Sequence, residues 1–205
     1  MKTRLIIVRH GESEANVQHR FAGIFDAPLT ETGRRQAHAA ADALKSVRID
    51  AAYASDLSRA WETGEIVAAP HGLPLIPDKE LREIFGGEWE GIHFREMAML
   101  YPVEWNLWMD DMASCRCPVG ESIRELGERA LRACRRIAET EAGKTVLIAT
   151  HSTWIKTLLP VWQGLPFGAV NDAPWVPNAS ITIVDYENGC WTPVVLGGAR
   201  HLERL

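Results

Sequence analysis

Four residues that can carry positive charge follow strands predicted from the sequence, and their types suit the binding of an anion. They are Arg9, His10, Arg59 and His151. The first two come directly after the apolar run 5–8. Arg59 lies in the opening turn of a helix after a weak strand at 51–54, and His151 follows the apolar run 146–149. Because ligands of an open α/β sheet bind beyond the carboxyl ends of its strands, we expect these side chains to converge.

Such a cluster suits a dianionic phosphate group, because guanidinium groups, backbone N–H groups and helix N-termini all bind phosphoryl oxygens. Taken alone, a histidine at a strand end is more often a hydrogen-bonded core or loop residue, and Arg59 would serve equally as a surface ion-pair partner. The chain as a whole is acidic, with 22 basic and 27 acidic residues and a net charge of −5. Positive charge at three separate strand ends therefore favours an anion-binding site.

The spacing of apolar residues predicts helices between these strands. Thr30 is placed to cap one helix, and Ser55 or Asp56 to cap a second. The longest helical pattern runs from 121 to about 141, and a later helix is predicted to end at Pro160. Strands that alternate with helices indicate an α/β fold in which both faces of the sheet are covered.

The carboxyl-terminal part of the sequence predicts two strands joined by a turn at Asn188-Gly189, and Pro193 favours an edge position for the last strand. We therefore expect a three-layer α/β sandwich with a mostly parallel central sheet flanked by helices, formed as a single domain by residues 1–205. A segment at about 84–119 is rich in aromatic residues and methionine, and it is predicted to form a helical lid over the sheet.

The composition excludes several classes of protein. Hydrophobic residues make up 46% and charged residues 24% of the chain, which is typical of a globular domain. The longest apolar runs have four or five residues, too few for a membrane span or a signal peptide. The acidic balance disfavours nucleic acid as a partner, and four cysteines are too few for a disulfide scaffold. We expect a soluble, cytoplasmic protein that binds neither nucleic acid nor membrane.

Short motifs that occur in order along nearly the whole chain resemble those of the histidine phosphatase superfamily, also called the phosphoglycerate mutase-like family. The motifs are Arg9-His10-Gly11-Glu12-Ser13 with Asn16, Phe21-Ala22-Gly23, Asp26-x-x-Leu29-Thr30-x-x-Gly33, Ser55-Asp56-Leu57-x-Arg59-Ala60-x-x-Thr63, Leu81-Arg82-Glu83 with Gly87-x-Trp89-Glu90-Gly91, Gly120-Glu121-Ser122, Thr150-His151 and His201-Leu202. The sequence departs from the family pattern at Ser152, where glycine is common, and at Val119, where a second glycine often occurs.

The resemblance implies a catalytic role for five residues. His10 would attack phosphorus and become a phosphohistidine, while Arg9, Arg59 and a protonated His151 offset the charge on the phosphoryl oxygens. Glu83 would be the general acid that protonates the leaving group, and then the base that activates water. For Glu83, the commoner role of a glutamate is that of a solvated loop carboxylate.

The resemblance also implies a set of substrate-binding residues: Gly11, Ser13, Asn16, Ala22, Gly23 and Ser152. Among them, the side chain of Asn16 and the backbone N–H of Ser152 would donate hydrogen bonds to the phosphoryl oxygens. The implied reaction uses no cofactor and no metal ion, because the cations of the site already offset the charge of the phosphoryl group.

The predicted lid segment bears on the choice between a phosphatase and a mutase. Mutases of this family that depend on a cofactor have longer chains, and their equivalent segment supplies extra cations. Between Glu83 and Glu121 this chain has two basic and six acidic residues, which suits a polyanionic substrate poorly. The same stretch holds six aromatic residues, namely Phe85, Trp89, Phe94, Tyr101, Trp105 and Trp108. We predict hydrolysis of a small phosphomonoester whose organic part is apolar or positively charged.

Two alternatives stay open. One is phosphoryl transfer of the phosphoglycerate mutase type. The other is a catalytically silent phosphate-binding protein that acts as a partner of another protein, although binding alone requires neither the nucleophile His10 nor the acid Glu83. The sequence also leaves open whether the chain forms a homodimer, and whether Trp175 lies at the rim of the site or in a contact between two copies.

Overall fold

A single six-stranded sheet organises the computed structural model, which describes residues 1–203 and 205. Its strands are Thr3–Arg9 (β1), Ala51–Ala54 (β2), Leu75–Pro77 (β3), Thr145–Thr150 (β4), Ile181–Glu187 (β5) and Cys190–Gly198 (β6). Their order is β3-β2-β4-β1-β5-β6. The first four in this order are parallel to one another, whereas β5 runs antiparallel to β1 and β6 antiparallel to β5.

In the described part of the chain, seven α-helices surround the sheet. They are Glu14–Val17 (α1), Glu31–Leu44 (α2), Ser58–Ala68 (α3), Phe94–Leu100 (α4), Pro102–Asp110 (α5), Ile123–Thr140 (α6) and Ser152–Trp162 (α7). Short 3-10 helices occur at Ala69–His71, Lys79–Leu81, Gly87–Trp89, Met112–Ser114, Phe167–Val170 and Arg200–Leu202. None of the described helices is both long and apolar enough to cross a bilayer.

The core has two layers, one on each face of the sheet. On one face, Ile6 and Val8 of β1 pack with buried residues of α2 and α3. On the other face, Leu5 and Ile7 pack with buried residues of α6 and α7. Alternate side chains of β1 thus enter opposite layers, as expected for a strand buried on both faces. The predicted three-layer α/β sandwich with a mostly parallel sheet is confirmed.

The strand register brings the predicted functional residues to one level. Val8 of β1 pairs with Ala149 of β4, and the same residue of β4 pairs with Ala54 of β2. The residues that follow these three positions therefore leave the sheet side by side. His10 and His151, each two residues beyond a level pair, become neighbours as a consequence.

Two predicted helix boundaries need correction. Thr30 caps α2 as expected, since its side chain accepts a hydrogen bond from the N–H of Gly33. Neither Ser55 nor Asp56 caps the next helix, which begins at Ser58 with Leu57 in the N-cap position.

Both candidate caps are held by tertiary contacts instead. The Ser55 hydroxyl lies 2.8 Å from Nε2 of His151, and the Asp56 carboxylate binds the guanidinium of Arg82. The start of α3 is capped from elsewhere in the chain, because Asp26 Oδ1 accepts bonds from the N–H and the hydroxyl of Ser58.

The second correction concerns the end of α7. The helix was predicted to end at Pro160, yet it continues to Trp162 with Pro160 inside. A proline removes the hydrogen bond of its own N–H and crowds the carbonyl group four residues earlier, but the residues that follow it can still be helical. Here two further residues continue the helix before the chain turns.

The aromatic-rich segment contributes α4 and α5, and its aromatic side chains divide into two groups. Trp89 is fully buried, and its ring packs edge-to-face with that of Phe21, with the two ring centroids 5.4 Å apart. Others, including Phe94, Trp105 and Trp108, border a cavity above the carboxyl ends of β1 and β4. The segment therefore both covers the core and faces the predicted site.

The hairpin at the other side of the sheet agrees with its prediction. Asn188 and Gly189 connect β5 to β6, and both have positive φ angles, of 52° and 82°. Two such residues form the tight turn that suits the twist of an antiparallel pair. Strand β6, which contains Pro193, lies at the edge of the sheet.

Candidate active site

A cavity of about 390 Å³ opens where the strand ends meet. The predicted site residues that border it are Arg9, His10, Asn16, Ala22, Gly23, Arg59, Glu83 and Ser152. His151 lies beside them, with its ring centroid 5.2 Å from that of His10. Gly11 and Ser13, which were also predicted to bind substrate, do not border the cavity but bond to His10 and to Asn16, respectively, which do. We refer to Arg9, His10, Arg59 and His151 together as the phosphoryl pocket.

The hydrogen bonding of His10 shows which ring nitrogen carries the proton. Nδ1 lies 2.7 Å from the carbonyl oxygen of Gly11, and a carbonyl oxygen can only accept. The proton therefore resides on Nδ1, and Nε2 keeps its lone pair. Burial, followed by the charges of Arg59 and Arg9, holds the pKa of His10 well below its usual value of 6.5. The imidazole is consequently neutral and nucleophilic at neutral pH.

The loop after His10 is packed against the start of α2 without room for side chains. A Cβ atom on Gly11 would overlap the carbonyl oxygen of Gly33, and one on Gly33 would overlap the carbonyl oxygen of Glu12. The N–H of Gly11 also donates to the hydroxyl of Thr63, at 3.1 Å. The carbonyl group that sets the tautomer of His10 is thereby held by contacts on two sides.

Two arginines supply most of the positive charge of the phosphoryl pocket. Arg59 is fully buried, and it donates to the carbonyl oxygens of Phe25 and Gly23 at 3.0 and 2.7 Å. Arg9 donates to the carbonyl oxygen of Val176 at 2.5 Å. Burial lowers the pKa of Arg9 to about 10 and also lowers that of Arg59, so both remain charged at neutral pH.

Several buried polar atoms of the site lack a partner among the described residues. They are Nε of Arg9, Nε of Arg59, Nδ1 of His151 and Oγ of Ser152. A buried polar group without a hydrogen bond is costly and is rare in folded proteins. Three of the four atoms belong to the phosphoryl pocket, and all can donate to an oxyanion when suitably protonated. Their concentration here is what an anion-binding site requires.

His151 is enclosed by the protein, and among the described residues its ring has one hydrogen-bond partner. Nε2 lies 2.8 Å from the Ser55 hydroxyl, and the side chain is fully buried. Burial, followed by the charge of Arg59, holds the pKa of His151 well below 6.5. The protonation expected of His151 concerns the ring beside a phosphoryl group, and it stays a prediction. A bound dianion would raise the pKa by adding negative charge beside the ring.

Glu83 lies at the amino-terminal end of α7. Its carboxylate accepts hydrogen bonds from the backbone N–H groups of Ile84, Thr153 and Trp154, at 3.0 to 3.2 Å. The side chain is buried on the cavity surface. Three backbone donors fix its position, so it is not the solvated loop carboxylate that is the common role of a glutamate.

The amide of Asn16 is oriented by two neighbours. Its Oδ1 accepts bonds from the N–H and hydroxyl of Ser13 and from Nδ2 of Asn178, each at 3.1 Å. With the oxygen occupied in this way, Nδ2 of Asn16 is left to donate elsewhere. Asn178 also donates to the carbonyl oxygen of His10, at 3.1 Å. Ser13 and Asn178 thus determine which amide atom Asn16 offers to a ligand.

A second surface of the cavity is aromatic. It consists of Phe94, Trp105, Trp108 and Trp175, which we call the aromatic wall. Trp108 and Trp175 stack with centroids 6.0 Å apart and planes inclined by 28°. The sequence left open whether Trp175 lies at the rim of the site or in a contact between two copies. In the structure the residue lies on the surface of the cavity.

Four residues of the cavity surface or its support escaped the sequence analysis. Arg20, Phe21 and Thr153 border the cavity, and Asn178 braces it from behind. Phe21 stands within a motif that was recognised, and Thr153 follows the predicted Ser152, so both could have been found by proximity. Arg20 and Asn178 carry no pattern of their own, and only the folded chain brings them to the site.

The site has no set of side chains suited to a metal ion. Among the described residues, no three His, Cys, Asp or Glu side chains are grouped so that they could hold one.

Comparison with known proteins identifies the family. The model of the histidine phosphatase superfamily (branch 1) matches residues 5–197. The chain belongs to the histidine phosphatase superfamily. It is therefore a phosphoryl-transfer enzyme of a superfamily that contains both phosphatases and mutases.

Similar histidine phosphatases differ in their names. A probable phosphoglycerate mutase of Yersinia pestis, GpmB, is 35% identical over 192 residues, which cover 92% of this chain and 87% of that protein. The solved structure of Bacillus stearothermophilus YhfR has a TM-score of 0.94 and 34% identity, covering 98% of this chain and 100% of the other. A putative alpha-ribazole-5'-P phosphatase of Escherichia coli has a TM-score of 0.86 and 28% identity, with 97% of each chain covered.

Proposed function

We propose that this histidine phosphatase is a metal-independent phosphomonoester hydrolase that acts through a phosphohistidine on His10. The observation that carries the proposal is the state of that residue. Its Nδ1 proton is held by the Gly11 carbonyl, its pKa is held well below 6.5, and unpartnered donors of Arg9 and Arg59 lie in the same pocket. A neutral nucleophile beside fixed positive charge is the requirement for attack on a phosphate dianion.

The first half of the reaction transfers the phosphoryl group to the protein. Nε2 of His10 forms a bond to phosphorus while the bond from phosphorus to the ester oxygen breaks. The protonated carboxyl group of Glu83 gives its proton to the departing oxygen, so the alcohol leaves uncharged. The developing charge on the phosphoryl oxygens is stabilised by the two arginines and by His151, which takes up a proton from solvent when the dianion binds and gives it back when phosphate leaves.

The second half returns the enzyme to its starting state. The Glu83 carboxylate takes a proton from a water molecule, and the oxygen of that water bonds to phosphorus. The bond from phosphorus to His10 Nε2 breaks, and inorganic phosphate leaves. Glu83 is protonated again and His10 is neutral again, so no other reactant is needed.

The aromatic wall supports hydrolysis rather than the mutase reaction. A phosphoglycerate carries a carboxylate in addition to its phosphate, and both need cations or donors. The aromatic wall offers large apolar faces, which bind an apolar organic group. Arg20, on the same cavity surface, disfavours the positively charged leaving group that the sequence had left open. The substrate we favour is a small phosphorylated metabolite with an uncharged, apolar organic part.

The decisive experiment measures phosphate release from p-nitrophenyl phosphate in the presence of EDTA, with the wild type and His10→Ala. We expect turnover without added metal, and a loss on the order of 10⁴–10⁶-fold in the variant, as is typical when a covalent nucleophile is removed. Rapid quenching during turnover should capture acid-labile phosphate on His10. His38→Ala changes an exposed histidine on α2 and serves as the matched control.

The alternatives give different results in the same assays. Rapid interconversion of phosphoglycerates with negligible phosphate release would establish a mutase instead. Tight binding of inorganic phosphate without turnover of any ester would indicate the silent binding protein. Activity that depends on added metal would contradict the proposed site.

A further inference from the structure

Lys156, in the second turn of α7, is a buried cation that the proposed reaction does not use. Its side chain is 3% exposed, and it forms no salt bridge within the described residues. The charge of Asp172 acts on it from a distance, and burial lowers its pKa. Keeping a buried ammonium group without a carboxylate partner costs stability. The burial of Lys156 is therefore not explained by the stability of the fold, which leaves the contacts of its ammonium group to account for it.

Those contacts lead to the aromatic wall. Nζ of Lys156 donates to the carbonyl oxygen of Ala173, and it lies 5.0 Å from the centre of the Trp175 ring. This distance is within the range of a cation–π interaction. Trp175 in turn stacks on Trp108 across the cavity surface.

The segment that carries Trp175 is held at both ends by a cation. Lys156 binds the carbonyl group of Ala173, and Arg9 binds that of Val176. Prolines at 174 and 177 further restrict the backbone. Trp175 itself is 49% exposed, so contacts with the core alone do not fix its ring. The position of this indole depends on the two anchors and on the ammonium group beneath it.

We propose that Lys156 is a positioning residue that sets the specificity for the leaving group, by holding Trp175 against Trp108 before the substrate binds. The inference rests on the proposed hydrolase activity and refines its substrate class. A pair of stacked indoles presents flat faces, which suit a phosphomonoester whose leaving group is itself an aromatic ring. Small alkyl phosphates would bind to the phosphoryl pocket without using this surface.

The size of the effect follows from the loss of a preformed surface. Without the ammonium group, Trp175 would sample several rotamers, and the substrate would have to order it on binding. Ordering one such side chain at an interface weakens binding by about 2- to 12-fold. The loss should appear in KM, because the reacting atoms and their neighbours are unchanged.

The test compares 1-naphthyl phosphate with ethyl phosphate as substrates of the wild type, Lys156→Met and Trp175→Ala. We expect both variants to raise KM for 1-naphthyl phosphate by about 2- to 12-fold, and Lys156→Met to leave the constants for ethyl phosphate within about twofold. Lys156→Arg keeps a cation over the ring and should retain most of the preference. Lys45→Met, which removes an exposed lysine after the end of α2, is the matched control.

A double variant separates a specific role from a general one. If Lys156 acts through Trp175, adding Lys156→Met to Trp175→Ala should produce no further loss on 1-naphthyl phosphate. An additive loss, or an equal loss on both substrates, would overturn the inference. So would an unchanged preference in Trp175→Ala, which stays informative if Lys156→Met does not fold. A wild type that hydrolyses neither ester would refute the hydrolase proposal itself and the inference with it.

Discussion

The phosphoryl pocket and the aromatic wall enclose the same cavity, but the chain builds them from different contacts. The residues of the pocket stand at strand ends or helix starts and are anchored to the backbone, as Arg59 is by the carbonyl groups of Gly23 and Phe25. The residues of the wall come from α4, α5 and the 173–176 segment, where neighbouring rings contact one another and Lys156 and Arg9 bind the backbone on either side of Trp175. In the proposed reaction the phosphoryl pocket carries out the chemistry, and the aromatic wall selects the leaving group.

This contrast predicts that substitutions in the two regions will differ both in size and in kind. A change at the pocket should lower the rate for every ester, because all substrates share the phosphoryl group. A change at the aromatic wall should alter the order of preference among esters, because aryl esters use this surface and small alkyl esters do not. Three measurements test this distinction.

The largest of these effects is expected for Glu83→Gln. The variant keeps the shape of the side chain but can neither give nor take the proton, so we expect a loss of about 10²–10⁴-fold in kcat for alkyl phosphates. The loss in the step that forms phosphohistidine should be smaller for p-nitrophenyl phosphate, whose leaving group departs readily as an anion. Quenched-flow measurement of the first turnover separates the two steps.

Glu88→Gln, an exposed residue of the same segment, is the control. If both variants retain full activity on alkyl phosphates, Glu83 is not the acid. In that case the contrast between the two regions loses one of its main supports.

A smaller effect is expected for Trp105→Ala in the aromatic wall. The indole borders the cavity, and among the described residues it makes no hydrogen bond to the phosphoryl pocket. Its loss should therefore remove only apolar contact with the leaving group. We expect KM for aryl phosphates to rise by about 2- to 12-fold, which corresponds to about 0.5–1.5 kcal/mol of aromatic contact. Steady-state kinetics with aryl and alkyl esters measure the change, and Trp191→Ala, beyond the cavity, is the control. A uniform loss on all esters would show that the two regions are not separable.

The third effect concerns stability and pH. Burial holds the pKa values of both His10 and His151 well below 6.5, whereas in the unfolded chain they return to that value. Below pH 6.5 the unfolded state therefore binds more protons, and stability falls as the pH decreases toward the folded-state pKa values. Each histidine should contribute a loss of up to about 1.4 kcal/mol per pH unit.

Urea midpoints between pH 7.5 and 5.5 measure this dependence. His151→Gln should reduce the slope of stability against pH, whereas His19→Gln, which changes an exposed residue, should not. Inorganic phosphate should also reduce the slope, because it favours the protonated rings in the folded protein. A wild-type midpoint that does not change over this interval would show that neither histidine is held neutral by the fold.

The sequence predicted the phosphoryl pocket well, because strand ends and short motifs place its residues. The apolar runs gave β1 and β4, and a level register made His10 and His151 neighbours. It failed where a local signal competed with a distant contact. Ser55 and Asp56 are good caps in isolation, yet His151 and Arg82 engage them and the helix starts later. Local propensity cannot anticipate a partner that lies far along the chain.

The aromatic wall was predicted only as a composition. Six aromatic residues within one segment indicated a lid, but their spacing did not separate Trp89, which is buried in the core, from Trp105, which borders the cavity. The surroundings of Trp175 include Lys156 beneath its ring and a contact of Arg9 with the neighbouring Val176. The contact of Arg9 joins residues more than a hundred positions apart in the sequence. Packing in three dimensions decides such assignments, and periodicity alone does not.

The backbone contact between Gly11 and Gly33 has a consequence for how this catalyst can diversify. Neither position accepts even a methyl group, so a randomised library at these two sites should yield almost no soluble clones. A library of equal size at Phe94, Trp105 and Trp108 should yield many that still turn over small esters. We therefore expect new substrates to be acquired by substitutions in the aromatic wall, whereas the backbone next to His10 accepts no side chain at Gly11 or Gly33.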